Sequence, residues 1–272
     1  MKTLYLSDLD GTLLRSDERL SRYTINTLEQ FVKNGGCFSY ATARSFTTAS
    51  KATAGLNIEF PVICYNGTFI VGNKTQEILH SNFFTQEEIQ AVRQTLEECG
   101  VLPIVYAFID GKECFSFMER NLSAGARFFL ESRLGDARRR KADSENELYS
   151  GSMFYFTCIS NEAELEPVYD AFKSNSRVNC IYQKDLYSGA QWCELMPKKA
   201  TKANAALQLK AMLSCDKLVV FGDGMNDLSM FSIADESYAM ANAVPKLKEI
   251  ATAVIDSNDS DGVAKFMLNA MP

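Results

Sequence analysis

The sequence predicts an α/β protein in which a parallel sheet core is interrupted by an inserted α+β domain. Three observations predict this fold. Short apolar runs alternate with amphipathic, helix-length segments over residues 4–82, the same alternation returns near residue 191, and a hairpin-containing order separates the two parts. We therefore predict a discontinuous core of residues 1–83 and 188–272, with an inserted domain of residues 84–187. The length of 272 residues is sufficient for two unequal domains.

The predicted core begins with strands separated by helices, the spacing of parallel strands joined by right-handed crossovers. Its first elements are strand Leu4–Ser7, helix Tyr23–Asn34, strand Cys37–Ala41, helix Ser45–Ala54 and strand Pro61–Tyr65. After the insertion the predicted elements are strand Gln191–Met196, helix Thr201–Leu213, strand Lys217–Phe221, helix Asn226–Ala234, a strand near Tyr238, helix Pro245–Ala251, strand Ala253–Asp256 and a last helix from Asp261.

The predicted insertion differs from the core because hairpin strands and helices replace the regular alternation of strand and helix. Thr85 and Glu88 have the spacing of a capping box and predict a helix that ends at Gly100. Asp110-Gly111 predicts a tight hairpin turn, since both positions of such a turn favour positive φ. The predicted elements are hairpin strands Ile104–Ile109 and Glu113–Met118, helix Leu122–Leu134, strand Met153–Ile159, helix Glu162–Phe172 and strand Val178–Gln183.

Charge and histidine content limit the possible chemistry. A net charge of −6 disfavours broad binding to nucleic acid or an anionic membrane, so we predict neither partner. We interpret the basic run Arg138–Lys141 as a solvated helix face or loop. His80 is the only histidine, and one imidazole cannot build a multi-histidine metal site. We give His80 a structural role and expect carboxylates and lysines to carry the chemistry.

Cysteine usage indicates a reducing compartment. The eight cysteines form no C-x-x-C pair, and several lie in apolar stretches, where a thiol packs as a small hydrophobic group. The apolar run at the N-terminus stops at Ser7-Asp8, too early for a secretory signal. We therefore predict reduced thiols and a cytoplasmic protein.

Three polar clusters directly follow predicted core strands. They are Asp8-Leu9-Asp10-Gly11-Thr12-Leu13, Ala41-Thr42-Ala43-Arg44-Ser45 and Phe221-Gly222-Asp223-Gly224-Met225-Asn226-Asp227. The carboxyl edge of an open parallel sheet is where such folds bind ligands. Asp8, Asp10 and Asp223 offer the oxygen ligands that Mg²⁺ prefers, so we predict that they bind Mg²⁺. A cation there would offset the repulsion of about 4 kcal/mol between a carboxylate and a phosphoryl charge ~4 Å apart at an effective dielectric of ~20.

These clusters resemble the motifs of the haloacid dehalogenase (HAD) superfamily of phosphatases. The matching residues, in order, are Asp8-x-Asp10-Gly11-Thr12-Leu13, Thr42, Lys202 and Gly222-Asp223-Gly224-Met225-Asn226-Asp227. The insertion, Asn66-Gly67 and Ser257-Asn258-Asp259-x-Asp261-Gly262-Val263-Ala264 resemble the Cof-type branch (subfamily IIB) of sugar-phosphate phosphatases. The resemblance covers the whole chain and implies a Rossmann-like parallel sheet core with an inserted α/β cap domain that selects the substrate.

The resemblance also implies a role for each matching residue. Asp8 would be the nucleophile that forms an aspartyl-phosphate. Asp10 would be the general acid and base, and its backbone carbonyl would bind Mg²⁺. The residues that would bind the phosphate group are Thr42, Ala43, Asn66, Lys202 and Asn226. Asp223 would complete the metal site, and Asp227 would orient Lys202 or a metal-bound water.

The chain departs from the family pattern at two positions and leaves one assignment open. Ala43 stands where the family often has glycine, and Met240-Ala241-Asn242-Ala243 stands where Met-Gly-Asn-Ala is common. Neither change removes a reactive group. Lys198 and Lys199 compete with Lys202 for the lysine role, and we prefer Lys202 because of its place in the motif.

The sequence thus predicts a Mg²⁺-dependent phosphatase acting on small phosphate monoesters, with sugar phosphates as the expected class. One alternative is a phosphomutase, which passes the phosphoryl group to a second hydroxyl. Another is a non-catalytic protein that binds phosphorylated metabolites on the same scaffold. Dehalogenation is disfavoured because a dehalogenase does not need the acid Asp10.

Overall fold

The computed structural model describes residues 1–184 and 189–272, which form two compact units. The first unit contains Met1–Ser81 and Ala200–Pro272, and the second contains Asn82–Lys199. The strands in the described ranges are β1 Thr3–Ser7, β2 Cys37–Tyr40, β3 Val62–Cys64, β4 Phe69–Val71, β5 Ile78–Ser81, β6 Ile104–Ile109, β7 Lys112–Phe117, β8 Arg139–Lys141, β9 Ser152–Ser160, β10 Val178–Lys184, β11 Gln191–Pro197, β12 Lys217–Gly222, β13 Glu236–Met240 and β14 Ala253–Ile255. The helices are α1 Arg22–Lys33, α2 Phe46–Ala52, α3 Gln86–Glu98, α4 Ala124–Glu131, α5 Glu145–Leu148, α6 Glu162–Phe172, α7 Lys202–Met212, α8 Leu228–Phe231, α9 Pro245–Ile250 and α10 Gly262–Asn269.

A parallel sheet with strand order β14-β13-β12-β1-β2 forms the centre of the first unit. Its middle strands are apolar on both faces, as covered parallel strands are, and Leu4, Leu6 and Val220 are fully buried. Because β1, β2 and β12 run in the same direction, their carboxyl ends lie at one edge. The predicted α/β fold with a parallel core is confirmed.

A small antiparallel sheet of β3, β4 and β5 adjoins this core. A parallel bridge between Ala41 and Ile63 connects β3 to the end of β2. Strand β3 was predicted from the sequence, whereas β4, a run of three residues that follows β3 closely, was not. His80 lies on β5 opposite Ile70.

The second unit is built on a sheet with the order β10-β11-β9-β6-β7-β8, antiparallel except for the β7–β8 pair. The predicted capping box is present, because Thr85 accepts a hydrogen bond from the Glu88 N–H and Glu88 accepts one from Thr85. Asp110 and Gly111 have φ of 50° and 74°, as the predicted hairpin turn requires. The apolar faces of α3 and α6 pack against one face of this sheet.

The predicted C-terminal boundary of the insertion, at residue 187, is wrong. We assigned strand 191–196 to the core, whereas β11 pairs antiparallel with β9 and β10 and belongs to the second unit, which extends to Lys199. Alternating apolar residues predict a strand but not its partner, and this is the cause of the error. The predicted boundary between residues 187 and 188 lies outside the described residues.

The interpretation of the run Arg138–Lys141 as a helix face or loop is also wrong. Arg139–Lys141 form β8, which pairs with β7. Arg138 binds Glu113 and Asp136 at 2.7 Å each. These partners neutralise the run locally, and charge alone did not reveal them.

All eight cysteines are free thiols. Among the described residues, no helix combines the length and the apolar composition that are needed to cross a membrane.

Candidate active site

The three polar clusters meet at the carboxyl edge of the parallel sheet. Asp8 follows β1, and its backbone N–H donates to the Phe221 carbonyl at 3.0 Å. Thr42 lies just beyond β2, where its N–H donates to the Ile63 carbonyl at 2.9 Å. Asp223 directly follows β12. The parallel register therefore brings residues that are far apart in the sequence to one place.

Lys202 links the nucleophile candidate to Asp227. Its Nζ lies 2.5 Å from Asp8 Oδ1 and 2.6 Å from Asp227 Oδ1. Only 1% of its side chain is exposed, so the ammonium is removed from water and depends on these carboxylates. Burial alone would lower the pKa of Lys202, but the charges of Asp227 and Asp8 outweigh it and raise that pKa. The ammonium thus stays charged beside Asp8.

The first residues of α7 and the loop after β3 explain how Lys202 reaches this position. Thr201 caps α7 by accepting a hydrogen bond from the Asn204 N–H, so Lys202 is the first helical residue. Gly67 has φ of 99°, and a Cβ there would collide with the Thr201 carbonyl. Glycine after Asn66 therefore allows the start of α7 to approach.

Lys198 and Lys199 do not share this environment. Both are exposed and belong to the second unit. Lys198 Nζ donates to the Asn175 carbonyl at 2.7 Å. Lys202 is the lysine that the structure places at Asp8, which agrees with the preference drawn from the motif.

Asp8, Asp223 and Asp227 form a buried carboxylate cluster in which one oxygen of each lies within 4.8 Å of the others. Burial, together with the Asp227 charge, raises the pKa of Asp8 well above its ordinary value. The same two causes raise the pKa of Asp223 to about 7. Three carboxylates face one ammonium here, and a divalent cation with a preference for oxygen ligands fits this donor set.

The members of this cluster differ in how many contacts the protein already makes with them. Asp227 Oδ1 binds Lys202, and its Oδ2 accepts the backbone N–H groups of Asp223 and Gly224 at 3.0 Å each. Asp223 Oδ1 accepts the Thr12 hydroxyl at 2.8 Å. Both oxygens of Asp227 are thus engaged, which favours an orienting role for this residue over a ligand role.

The side chain of Asp10 is bound by Arg44 and is not one of the three carboxylates of this cluster. Arg44 binds its carboxylate from Nε at 2.8 Å and from Nη2 at 2.5 Å, and Nη2 also contacts Glu18 at 2.6 Å. Planar, two-pronged contacts of this kind fix a carboxylate in one orientation. The predicted metal set contained Asp10, and its side chain is held by Arg44 in the structure. No role was predicted for Arg44 from the sequence, although it lies two residues after Thr42.

The predicted phosphate-binding residues lie around the same edge. Asn66 is fully buried, its N–H donates to the Thr42 carbonyl at 2.9 Å, and its Oδ1 accepts from Asn226 Nδ2 at 3.3 Å. Thr42 Oγ1 accepts the Arg44 N–H at 3.0 Å. Ala43, the residue between Thr42 and Arg44, is half-buried. Thr42, Asn66 and Asn226 are therefore connected, and Gly67 is a further site residue that backbone geometry reveals.

A family model described as haloacid dehalogenase-like hydrolase matches residues 5–267. The Bacillus subtilis (strain 168) protein named 5-amino-6-(5-phospho-D-ribitylamino)uracil phosphatase YitU is 23% identical over 265 residues, covering 96% of this chain and 94% of that relative. The solved structure of SMU.1108c from Streptococcus mutans UA159 is similar with a TM-score of 0.82 at 22% identity, covering 99% of both chains. A haloacid dehalogenase-like hydrolase from B. subtilis is similar with a TM-score of 0.81 at 23% identity, covering 98% of this chain and 99% of its own.

Proposed function

Because the chain belongs to the haloacid dehalogenase-like hydrolase family, we propose that it is a Mg²⁺-dependent phosphatase of small phosphate monoesters, with sugar phosphates as the expected class. The observation that carries this proposal is the buried Asp8 carboxylate, 2.5 Å from the Lys202 ammonium at the carboxyl edge of the sheet. A relative that covers nearly the whole chain bears the name of a phosphatase, which supports the reaction class.

The proposed first step is attack of an Asp8 oxygen on phosphorus. The new bond forms as the bond between phosphorus and the leaving oxygen breaks, and the phosphoryl group remains on Asp8. Asp10 gives its proton to the leaving alkoxide. In the second step Asp10 takes a proton from water, the water oxygen attacks phosphorus, and Asp8 leaves as a carboxylate with free phosphate as the product.

Lys202 and the polar groups around Asp8 hold the phosphoryl charge in this mechanism. The Lys202 ammonium offsets the approach of one anion to another, and Asp227 keeps it in place. Thr42, the Ala43 N–H and Asn226 bind phosphoryl oxygens, and Asn66 orients Asn226. In phosphoryl transfer, positioning and charge supply most of the rate enhancement.

Asp8, Asp223 and the backbone carbonyl of Asp10 are the groups that would hold Mg²⁺. When bound, the cation supplies positive charge that offsets the phosphoryl oxygens and the surrounding carboxylates. Thr12 orients Asp223 through its 2.8 Å hydrogen bond. Gly11 leaves room for Asp223, because a Cβ at that position would collide with its carboxylate.

Metal binding has an expected result that does not depend on turnover. MgCl₂ added to protein stripped with EDTA should raise the thermal unfolding midpoint, because the cation relieves repulsion among buried carboxylates. At a hundred times the dissociation constant the expected gain is about 2.7 kcal/mol. Asp223→Asn should lose most of this gain and Asp256→Asn should keep it, since Asp256 pairs with exposed Lys265. Equal gains in both variants would contradict the assignment.

Product analysis tests the proposed reaction. Purified protein should release inorganic phosphate from a panel of phosphorylated metabolites, and EDTA should abolish the release. A phosphomutase would instead accumulate an isomeric phosphate ester without free phosphate, and a non-catalytic protein would bind ligands without turnover. Either outcome would overturn the proposal. The panel also identifies the substrate class. We propose that the second unit, residues 82–199, selects that class.

The lone histidine provides a further expectation. His80→Asn should leave kcat for phosphate release within about twofold, because a mechanism with aspartate as nucleophile and as acid needs no imidazole. Steady-state kinetics on one substrate of the panel measures this. A collapse of kcat with an unchanged unfolding midpoint would show that His80 takes part in the reaction.

We also propose that the protein acts in the cytoplasm, in agreement with its free cysteines.

A further inference from the structure

We propose that a support formed by Asn242 and the segment Ser257–Asp261 positions Asp10 for proton transfer. This C-terminal support holds the nucleophile loop, by which we mean residues 8–16. The inference rests on the proposed function and assigns a role to two sequence features that the catalytic mechanism leaves unused, Asn242 and the Asn258-Asp259-x-Asp261-Gly262 motif.

The nucleophile loop has an irregular backbone. Leu9–Leu13 form a single turn in which Asp10 has ψ of 123° and Gly11 has φ of 74°, both outside the helical range. The Leu14 N–H closes the turn on the Leu9 carbonyl at 2.8 Å. The position of Asp10 therefore depends on what fixes the carbonyl groups and the residues after it.

A chain of amide hydrogen bonds spans this turn. Asn242 Nδ2 donates to the Gly11 carbonyl at 2.7 Å, and Asn242 Oδ1 accepts the Asn258 N–H at 3.2 Å. Asn258 Nδ2 in turn donates to the Leu14 carbonyl at 2.9 Å. Asn258 is buried, with 6% of its surface exposed. Two asparagines thus hold the carbonyl of Gly11, which follows Asp10, and the carbonyl of Leu14, the residue directly after the turn.

Two acidic residues of the same segment hold the end of the loop. Asp259 accepts the Ser16 N–H at 2.9 Å and the Ser16 hydroxyl at 2.7 Å. Asp261 accepts Arg15 Nε at 3.1 Å and Nη2 at 2.5 Å, and it also accepts the Thr24 hydroxyl of α1 at 3.1 Å. Consecutive residues of the nucleophile loop are therefore bound by one short segment.

The backbone of the segment is built to reach these partners. Asp261 has φ of 56°, a left-handed conformation. A Cβ on Gly262 would collide with the Asp256 carbonyl, so the segment closes tightly only with glycine at that position. The geometry explains why Asp261 and Gly262 follow one another in a motif that lies far in sequence from every reactive residue.

Loss of this support should impair proton donation more than phosphoryl binding. Arg44 holds the carboxylate of Asp10 while the C-terminal support holds the backbone that follows it, so a shift of the loop moves the acid away from the leaving oxygen. A poor leaving group needs the proton, whereas 4-nitrophenolate leaves without much help. The dependence of rate on the leaving group therefore reports on the placement of Asp10.

The test compares phenyl phosphate with 4-nitrophenyl phosphate, two probes that differ only by the nitro group, which makes the second a much better leaving group. Asn242→Asp removes the donor to Gly11 at an exposed position with no change of side-chain size. We expect its kcat/KM to fall about tenfold more for phenyl phosphate than for 4-nitrophenyl phosphate, with an unchanged urea unfolding midpoint. Asn258→Ala should show the same selective loss. Asn242→Gln, which keeps an amide donor, should recover part of it.

Asp256→Asn is the matched control, since Asp256 belongs to the same region but pairs with Lys265 at 2.6 Å; it should behave as wild type on both probes. A variant that only unfolds some of the protein loses both activities by the same factor. Equal losses, or none, with an active wild type would overturn the proposed positioning role. A wild type that hydrolyses neither probe with Mg²⁺ present would instead contradict the proposed function.

Discussion

Asp8→Asn should leave a folded protein whose kcat for phosphate release is lower by about 10⁴- to 10⁶-fold, the range observed when one member of a catalytic triad is removed from a hydrolase. An amide oxygen at this position lacks the negative charge that attacks phosphorus. The remaining groups, Lys202 among them, still bind the phosphate ester. Phosphate release at saturating substrate measures the loss.

The fold should tolerate this change well. Burial and the neighbouring carboxylates disfavour the charge on Asp8, as its raised pKa shows, and Lys202 keeps Asp227 as its partner at 2.6 Å. The urea unfolding midpoint of Asp8→Asn should therefore equal or exceed that of wild type. Asp17→Asn, at an exposed position in the next stretch of chain, is the control and should retain full activity. Substantial activity in Asp8→Asn would exclude Asp8 as the nucleophile.

Lys202→Met should have the largest effect on stability. The lysine side chain is 1% exposed, and its loss leaves the buried carboxylates of Asp8 and Asp227 without their cation. Breaking a buried ion pair in this way costs about 3–5 kcal/mol in the free energy of unfolding. Phosphatase activity should also be lost, because the phosphoryl group and Asp8 then meet without an offsetting charge. Urea denaturation and phosphate release measure the two effects.

A second substitution separates this explanation from a simple packing defect. Lys202→Met combined with Asp8→Asn removes one of the two unpaired charges, so the double variant should be more stable than Lys202→Met alone. Lys198→Met, which changes an exposed lysine of the second unit, should leave stability and activity near wild type. Loss of less than about 1 kcal/mol in Lys202→Met would show that the buried ion pair does not hold this site together.

Local patterns in the sequence predicted much of the first unit. Apolar runs at βα spacing predicted β1, β2 and β12, and parallel pairing then required their carboxyl ends to share an edge. The order of the motifs added Lys202, which no local pattern distinguishes from Lys198 or Lys199. In the structure, Lys202 reaches Asp8 because Thr201 caps α7 directly before it and because Gly67 leaves room for the start of that helix.

The rest depended on contacts between distant segments. The pattern in residues 191–196 predicted a strand, but the pairing of β11 with β9 and β10 is a tertiary choice. Arg44 is one of 28 basic residues, and only the fold shows that it binds Asp10. The contact of Asn258 with Leu14 joins residues that are 244 positions apart in the sequence. Such long-range hydrogen bonds leave no periodic signal in a single sequence.

Trapping the phosphoryl group on the protein tests the proposed mechanism most directly. Wild-type protein is mixed with a radiolabelled phosphate monoester and Mg²⁺, quenched in acid within one turnover and digested. We expect the label on the peptide that contains Asp8, appearing before free phosphate and absent from Asp8→Asn. Release of phosphate at the full rate with no label on that peptide at any time would contradict an aspartyl-phosphate intermediate on Asp8.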